Sequence, residues 1–377
     1  MPHPYDTLPP EAFWRSGVAG TDPDGMPGLY RPRVRLTRQT RIATAGSCFV
    51  RHIGAYLRQA GCTLLDGEPA PRAMPAAVAD RFGYGQFSGR YGHVHSTRQW
   101  LDLLRETAAA TPDPTCLWTT ADRNVDGFRP GVEPEGLNSA AEVLGHRRHH
   151  LARLTATLRQ TDVLILTLGL TESWVDAGSG RALPTCPGVI AGQFDPGRHR
   201  LHVQTHAGVL ADLHQIRTLL HRFQPGMQML LSLSPVPLTA TAGGQHVLVA
   251  TAGAKATLRA AAGEFVAATA DTDYVPSYEL LTHPVLGQWF MPNRRDIAPA
   301  GVDRVMRMFL AAHGLRDWPD RPDRPAAPAG PVADHPSPGA ECEEALLAAF
   351  APPLSPPKQA LIPARTPTRT LSRTQTR

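Results

Sequence analysis

Aromatic residues are scarce in this chain, 6% of 377 positions, and no basic stripe interleaves them. A surface built for nucleic acid needs clustered Lys or Arg for phosphates and rings for bases. A net charge of +5 does not by itself supply one, so no nucleic-acid partner is expected. Cysteine is sparse too, with five residues, an odd number, and no Cys-x-x-Cys pair. Neither a zinc knuckle nor a disulfide framework follows, and reduced cytoplasmic thiols are the simplest reading. No apolar run approaches the roughly 20 residues of a membrane-spanning helix. The start, Met1-Pro2-His3-Pro4-Tyr5-Asp6, lacks the charged-then-apolar order of a signal peptide. No G-x-G-x-x-G fingerprint and no internal repeat is present, and neither a cofactor nor a metal is expected.

Proline, by contrast, is abundant at 37 residues, and unevenly placed. It gathers with Gly and Asp in residues 1–34, read as an N-terminal arm anchored by Trp14 and Tyr30. From residue 317 Pro, Ala and Arg dominate, and Arg365, Arg369, Arg373 and Arg377 punctuate a Thr-rich end. Residues 317–377 hold too little apolar surface to offset the entropy of ordering, and a disordered tail is expected. Glu343 to Phe350 has the makings of a helical turn or two. Residues 35–316 form the domain, in a chain whose 42% hydrophobic and 19% charged composition suits a soluble globular protein.

Asp162-Val163-Leu164-Ile165-Leu166-Thr167-Leu168 is apolar without alternation, the mark of a parallel strand buried on both faces. Met227 to Leu233 reads as another. Shorter strands are expected up to Ala45, at Cys62 to Leu65 and at Asp273-Tyr274-Val275. Helical patterns fill the spaces: up to Ala60, Thr97 to Ala109 behind a Ser96 cap, Ser139 to Gln160, Gly208 to Phe223, His246 to Ala270 and Pro299 to His313. Strands alternating with helices of this length require parallel pairing through crossovers. The expected fold is one three-layer, doubly wound α/β domain. Residues 67–95, 111–138 and 169–205 are expected as loops or excursions. Arg147, Arg148, His149 and His150 read as a solvated helix face.

In such a sheet the ligand lies beyond the carboxyl ends of the strands. The sharpest such end lies within Arg41 to Ile53, where Gly46 closes a strand and Ser47 and Cys48 follow. Val50, Ile53 and Leu57 then begin an apolar helical face. The first N–H groups of that helix point at whatever binds there. Ser47 is equally a good N-cap, and Cys48 equally a small buried hydrophobe. Other strand ends contribute Asp66, then Gly169, Thr171 and Glu172, then Ser234, then Ser277, Tyr278, Glu279 and His283.

Gly46-Ser47-Cys48-Phe49 resembles the signature of the GSCFA family, with Val50 where the motif has alanine. Further likenesses follow in family order: Leu166-Thr167-Leu168-Gly169-Leu170-Thr171-Glu172-Ser173-Trp174, Cys186-Pro187-Gly188, Leu233-Ser234-Pro235-Val236-Pro237-Leu238-Thr239-Ala240-Thr241, His246-Val247-Leu248-Val249-Ala250 and Pro276-Ser277-Tyr278-Glu279. That family is similar to the SGNH/GDSL hydrolases. The resemblance implies a flavodoxin-like three-layer fold. It also implies esterase or O-acyl-transfer chemistry on an acylated saccharide or other small metabolite, with an acyl donor as a further partner where an alcohol accepts the group.

The nucleophile implied is Ser47 or Cys48. Matching G-D-S-L residue for residue puts Cys48 on the serine, and shifting by one puts Ser47 there. Gly92 after Tyr91 resembles the oxyanion-hole glycine, and Gly46, Thr171, Glu172 and Ser234 are the other implied oxyanion or substrate-binding residues. SGNH enzymes carry Asp-x-x-His before the last helix, whereas Asn293-Arg294-Arg295-Asp296 stands here with no histidine after it. His283, in Thr282-His283-Pro284, is the expected base, with His52 as runner-up and His93 and His95 in the glycine-rich loop. A non-catalytic module of the same fold, binding a carbohydrate or an acyl carrier, is the alternative that the missing histidine leaves open.

Overall fold

Val163–Leu168, buried along its whole length, forms strand β4 inside a parallel sheet. The computed structural model describes residues 3–21, 26, 28–315 and 345–351. Strand β4 pairs on one side with β1 (Ile42–Gly46) and on the other with β8 (Gln228–Leu233), which pairs in turn with β9 (Thr272–Val275). Leu166 lies between Ala45 and Leu231 in this register. All three are almost wholly buried, which explains why these strands carry no polar alternation. The stretch expected as a strand at 62–65 makes one parallel bridge, Leu64 to Ile42. Pairing stops there because Gly67 turns its N–H away to the Ser88 carbonyl.

Helices cover the sheet. Helix α1 (Phe49–Gln59) packs with α8 (Pro299–Ala312), while α3 (Thr97–Ala109), α4 (Ala140–Leu158), α5 (His206–Phe223) and α6 (Val247–Ala268) pack on one another. The expected three-layer α/β architecture, a parallel sheet flanked by helices, is the one found. Helix α3 starts where its capping box places it. Ser96 Oγ accepts from the Gln99 N–H, and Gln99 Oε1 accepts from the Ser96 N–H, each at 3.2 Å.

The stretches expected as loops contain more structure than periodicity shows. Residues 67–95 include helix α2 (Ala76–Arg81), and residues 111–138 include the hairpin β2 (Leu117–Thr120) and β3 (Arg123–Asp126). The excursion after β4 folds into an antiparallel sheet in the order β6 (Ala182–Leu183), β5 (Glu172–Asp176), β7 (His199–Val203). Its organising residue is Trp174, opposite Leu183 on one side and Leu201 on the other. Trp118, Val125, Leu183 and Ala191 form a small second core beneath it. Helix α7 (Ser277–Thr282) is likewise too short, at six residues, to show a period in the sequence.

The charge run on α4 is corrected outright. Arg148 and His149 are exposed, but Arg147 is 1% exposed and His150 is fully buried. Arg147 donates twice to Glu106, at 2.8 and 2.6 Å, and reaches Asp126 at 3.1 Å. Arg129 also holds Asp126, and Arg181 shares Glu106. The Arg147 and Arg181 guanidinium groups both pack on the Phe128 ring, 4.9 and 4.0 Å from its centroid. Two positions of the run share one helix face with Val143 and Leu151, and that face turns inward.

At the amino end Tyr30, Val34 and Leu36 are buried in the main core, and the Tyr30 hydroxyl reaches Asp273. The disordered tail expected at 317–377 lies outside the described residues except for 345–351, where Ala345–Phe350 forms a 3-10 helix.

Candidate active site

Strand β1 ends in glycine because nothing larger fits. Gly46 has φ of 128°, and a Cβ there would come within 2.3 Å of the Thr167 carbonyl oxygen. The backbone turns hard against β4, and the Ser47 N–H donates to that same oxygen at 3.1 Å. This amide is therefore committed and is no oxyanion donor. Cys48, not Ser47, takes the cap position of α1 and is half-buried. Ser47 is 3% exposed, and its Oγ is buried without a hydrogen-bond partner among the described residues. An unpartnered buried hydroxyl costs about 1–3 kcal/mol. The cap role open to this serine is thus unfilled, and its hydroxyl stays available to a ligand or a reacting group.

Two loops close over this turn. Beyond β4, Gly169 lies so near Ser47 that a Cβ on it would stand 3.2 Å from the Ser47 Cβ. The same point is 3.4 Å from the His95 Cα, so one glycine marks the meeting of three segments. The N–H groups of Gly169 and Leu170 both donate to the His95 carbonyl, at 3.0 and 2.8 Å. The Val94 N–H donates to the Gly46 carbonyl at 3.0 Å, and the Tyr91 hydroxyl donates to the Thr44 carbonyl. The imidazoles of His93 and His95 stack nearly parallel with centroids 5.9 Å apart, and both residues are buried.

The buried charges of α4 support this loop from behind. Glu68 accepts from the Arg90 N–H and meets His150 Nδ1, each at 2.7 Å, and Arg129 donates to the Arg90 carbonyl at 2.9 Å. Burial, with the nearby Arg129 charge, pushes the His150 imidazole down to about 4, so the ring is neutral at pH 7. Burial alone would raise Asp126, but Arg147 and Arg129 outweigh it and hold the carboxyl at about 2.

Lys255 on α6 arrives from the opposite side. It is 2% exposed, and its Nζ donates to the Gly169 carbonyl at 2.8 Å. A buried ammonium bound to the turn that touches Ser47 carries no signal in the sequence. It lies in an alanine-rich helix whose period suggests only packing.

The remaining expected site residues separate into two groups. Glu172 accepts from the Thr241 hydroxyl at 2.6 Å and the Ala242 N–H at 3.1 Å, clamping the loop after β8 while lining a cavity. The Ser234 N–H donates to the Leu168 carbonyl at 2.8 Å, and its Oγ accepts from the Val236 N–H at 3.3 Å, which ties that loop to β4. Thr171 is buried, and its carbonyl accepts from the Gln204 N–H. Gly92 has φ of 70° in the loop that carries His93 and His95. The His283 ring packs on Trp14 with centroids 5.3 Å apart, and its Nδ1 is buried without a partner among the described residues. His52 is exposed and packs on Phe49. Glu279 is held by Arg259 and by the Tyr274 hydroxyl.

The cavity beside the turn measures about 50 Å³. His95, Gln99, Glu172 and Thr185 give it a polar side, and Leu170, Trp174, Leu183 and Leu238 an apolar one. Cys186 also lines it, its thiol pushed up by burial. Among the described residues no group of three His, Cys, Asp or Glu is placed to hold a metal ion. None of their helices is long and apolar enough to cross a membrane.

Residues 41–309 match the model of the GSCFA family. None of the curated proteins compared matches. Among solved structures, similarity extends to a candidate GDSL-like lipase from Parabacteroides merdae, at 15% identity and a TM-score of 0.33, covering 76% of this chain and 100% of that one. An acetyl xylan esterase from the rumen bacterium Butyrivibrio proteoclasticus is similar at 11% identity and TM-score 0.27, covering 74% and 64%. A candidate platelet activating factor from Streptococcus pneumonia is similar at 14% identity and TM-score 0.25, covering 42% and 65%. The chain thus spans somewhat under two thirds of two of these and all of the third.

Proposed function

This chain belongs to the GSCFA family, and from that premise we propose that it is an esterase or O-acyltransferase of SGNH-like design. Its substrate is an acylated saccharide or small metabolite. The observation that carries the reading is the β1–α1 turn, where an unpartnered buried hydroxyl and a half-buried thiol are adjacent and the backbone of a buried histidine, His95, packs against the neighbouring Gly169.

In this reading Cys48 attacks. It is the more accessible of the pair and caps the amino end of α1, where the helix field favours a thiolate. His95 takes the thiol proton and returns it to the departing alcohol oxygen as the ester C–O bond breaks. This assigns the base to an imidazole fixed by its backbone beside Ser47. The buried Nδ1 of His283 keeps that residue as the second choice. The Ser47 hydroxyl donates to the oxyanion, a contribution usually worth a few kcal/mol. Water then takes the acyl group in an esterase, or an alcohol in a transferase.

Turnover of a short-chain nitrophenyl ester tests this. The reading expects Cys48→Ala to lose activity by at least about 10³-fold, and Ser47→Ala and His95→Ala by about 10²-fold or more. Full loss in Ser47→Ala with Cys48→Ala active would exchange the two roles. No turnover in the parent protein would favour the non-catalytic binding module.

A further inference from the structure

Part of the wall of the cavity beside the turn comes from a segment far along this chain. Leu347, on the 3-10 helix Ala345–Phe350, lines it together with His95 and Leu170. Leu346 and Leu347 are partly buried, whereas Ala348, Ala349 and Phe350 are exposed, Phe350 at 70%. The two leucines of this short helix are therefore more covered than the three residues after them. The last core residue described before it is Leu315, and residues 316–344 make the connection.

We propose that this cavity is a subsite for a short aliphatic chain, and that Ala345–Phe350 is its intramolecular occupant, an inhibitory strap which substrate must displace. The identity of the displaced ligand as an acyl chain rests on the esterase reading above. The strap itself does not.

The chemistry of the walls supports the ligand class. Trp174, Leu183 and Leu238 offer an apolar surface, and the space left around Leu347 is about 50 Å³. Withdrawing the leucine adds the volume of a four-carbon branched chain. The opened pocket then suits a butyryl to hexanoyl group better than an acetyl group, which is too small to fill it. Its polar side includes His95 and Glu172, and the His95 carbonyl accepts from the N–H of Gly169, the residue beside Ser47. An occupant carried on the same chain competes at an effective concentration that is typically in the millimolar range. A contact of one leucine and part of another is weak enough to be displaced under those conditions. The strap is therefore a restraint that lowers apparent affinity rather than a permanent block.

Two measurements on the full chain test this. In Leu347→Asp a charge replaces the seated leucine, and kcat/KM for a butyryl nitrophenyl ester is expected to rise about five- to tenfold, with a smaller rise for the acetyl ester. Separately, a labelled peptide of residues 343–351 is titrated into the Leu347→Asp protein and followed by fluorescence anisotropy. It is expected to bind with a millimolar to high-micromolar Kd, and the same peptide carrying Leu347→Asp is expected not to bind. Peptide binding without ester turnover would uphold the strap while the esterase reading failed. Unchanged turnover on both esters, with no binding up to about 5 mM, would overturn the strap even if the protein is an esterase.

Discussion

The Lys255 ammonium donates to the Gly169 carbonyl at 2.8 Å, from a side chain that is 2% exposed. Gly169 in turn presses on Ser47 and bonds through its N–H to His95. Lys255 therefore fixes the turn against which Ser47 and the His95 backbone are set.

Replacing it by Met keeps most of the stem and removes the charge. A buried charge carries its own desolvation cost, so the melting temperature is expected to change little or to rise. The turn loses its anchor, and kcat is expected to fall at least tenfold with KM nearly unchanged, since misplacement acts on the reacting geometry. Steady-state kinetics and a thermal melt on Lys255→Met check this. Unaltered kcat would remove the lysine from the account.

Gly46 is the second tight point. In Gly46→Ala the new Cβ meets backbone atoms of Thr167 rather than a side chain able to move, at a φ that alanine resists. The backbone conformation alone is expected to cost about 1–3 kcal/mol, with the clash in addition. Gly54, within α1 and facing the movable tip of Leu64 at 3.4 Å, is the control. Gly54→Ala should be neutral or gain up to about 1 kcal/mol. Chemical denaturation of the two variants distinguishes them.

The same contrast applies on α4. Arg147→Met leaves Glu106 and Asp126 buried without their shared cation, and a loss of about 3–5 kcal/mol is expected. Arg148→Ala, one residue away and exposed, should stay within about 0.5 kcal/mol of the parent. Equal effects in denaturant titrations would contradict the buried network.

Much of this arrangement was legible in advance. The continuous apolar runs of β4 and β8, the cap at Ser96 and the turn at Gly46 each reflect one local rule, and each lies where that rule puts it. Arg147 and Lys255 were illegible for a physical reason. A buried cation differs from a solvated one only by its partners, and Glu106 and Gly169 lie 41 and 86 residues away in sequence. The antiparallel sheet around Trp174 escaped for a similar cause, since its strands are short and pair across a long connection. At the site itself, the turn residues could be read from the sequence, but the neighbour that Gly169 shares between Ser47 and His95 could not.

Stability should also depend on pH through buried histidines. His313 accepts from the Leu36 N–H through Nδ1 at 3.2 Å, and burial, with Arg35 nearby, pushes it down to about 4. In the unfolded chain its pKa returns to about 6.5. Between about 6.5 and 4 the unfolded chain binds the extra proton, so stability rises with pH in that window and is lost as pH falls through it. His150 acts in the same direction. Melting temperatures at pH 7 and pH 5 are expected to differ, with the lower at pH 5. The difference should shrink in His313→Gln, and an unchanged difference would rule out this histidine as a contributor.

The central claim is that the β1–α1 turn supplies a nucleophile, and the most direct measurement is mass-spectrometric capture of the acyl-enzyme. The protein is mixed with a nitrophenyl butyrate, quenched in acid and digested. The account predicts a butyryl adduct on the peptide carrying Cys48, lost in Cys48→Ala and persisting longer in His95→Ala, where deacylation is slowed. An adduct confined to other residues, or none while the ester is turned over, would contradict it.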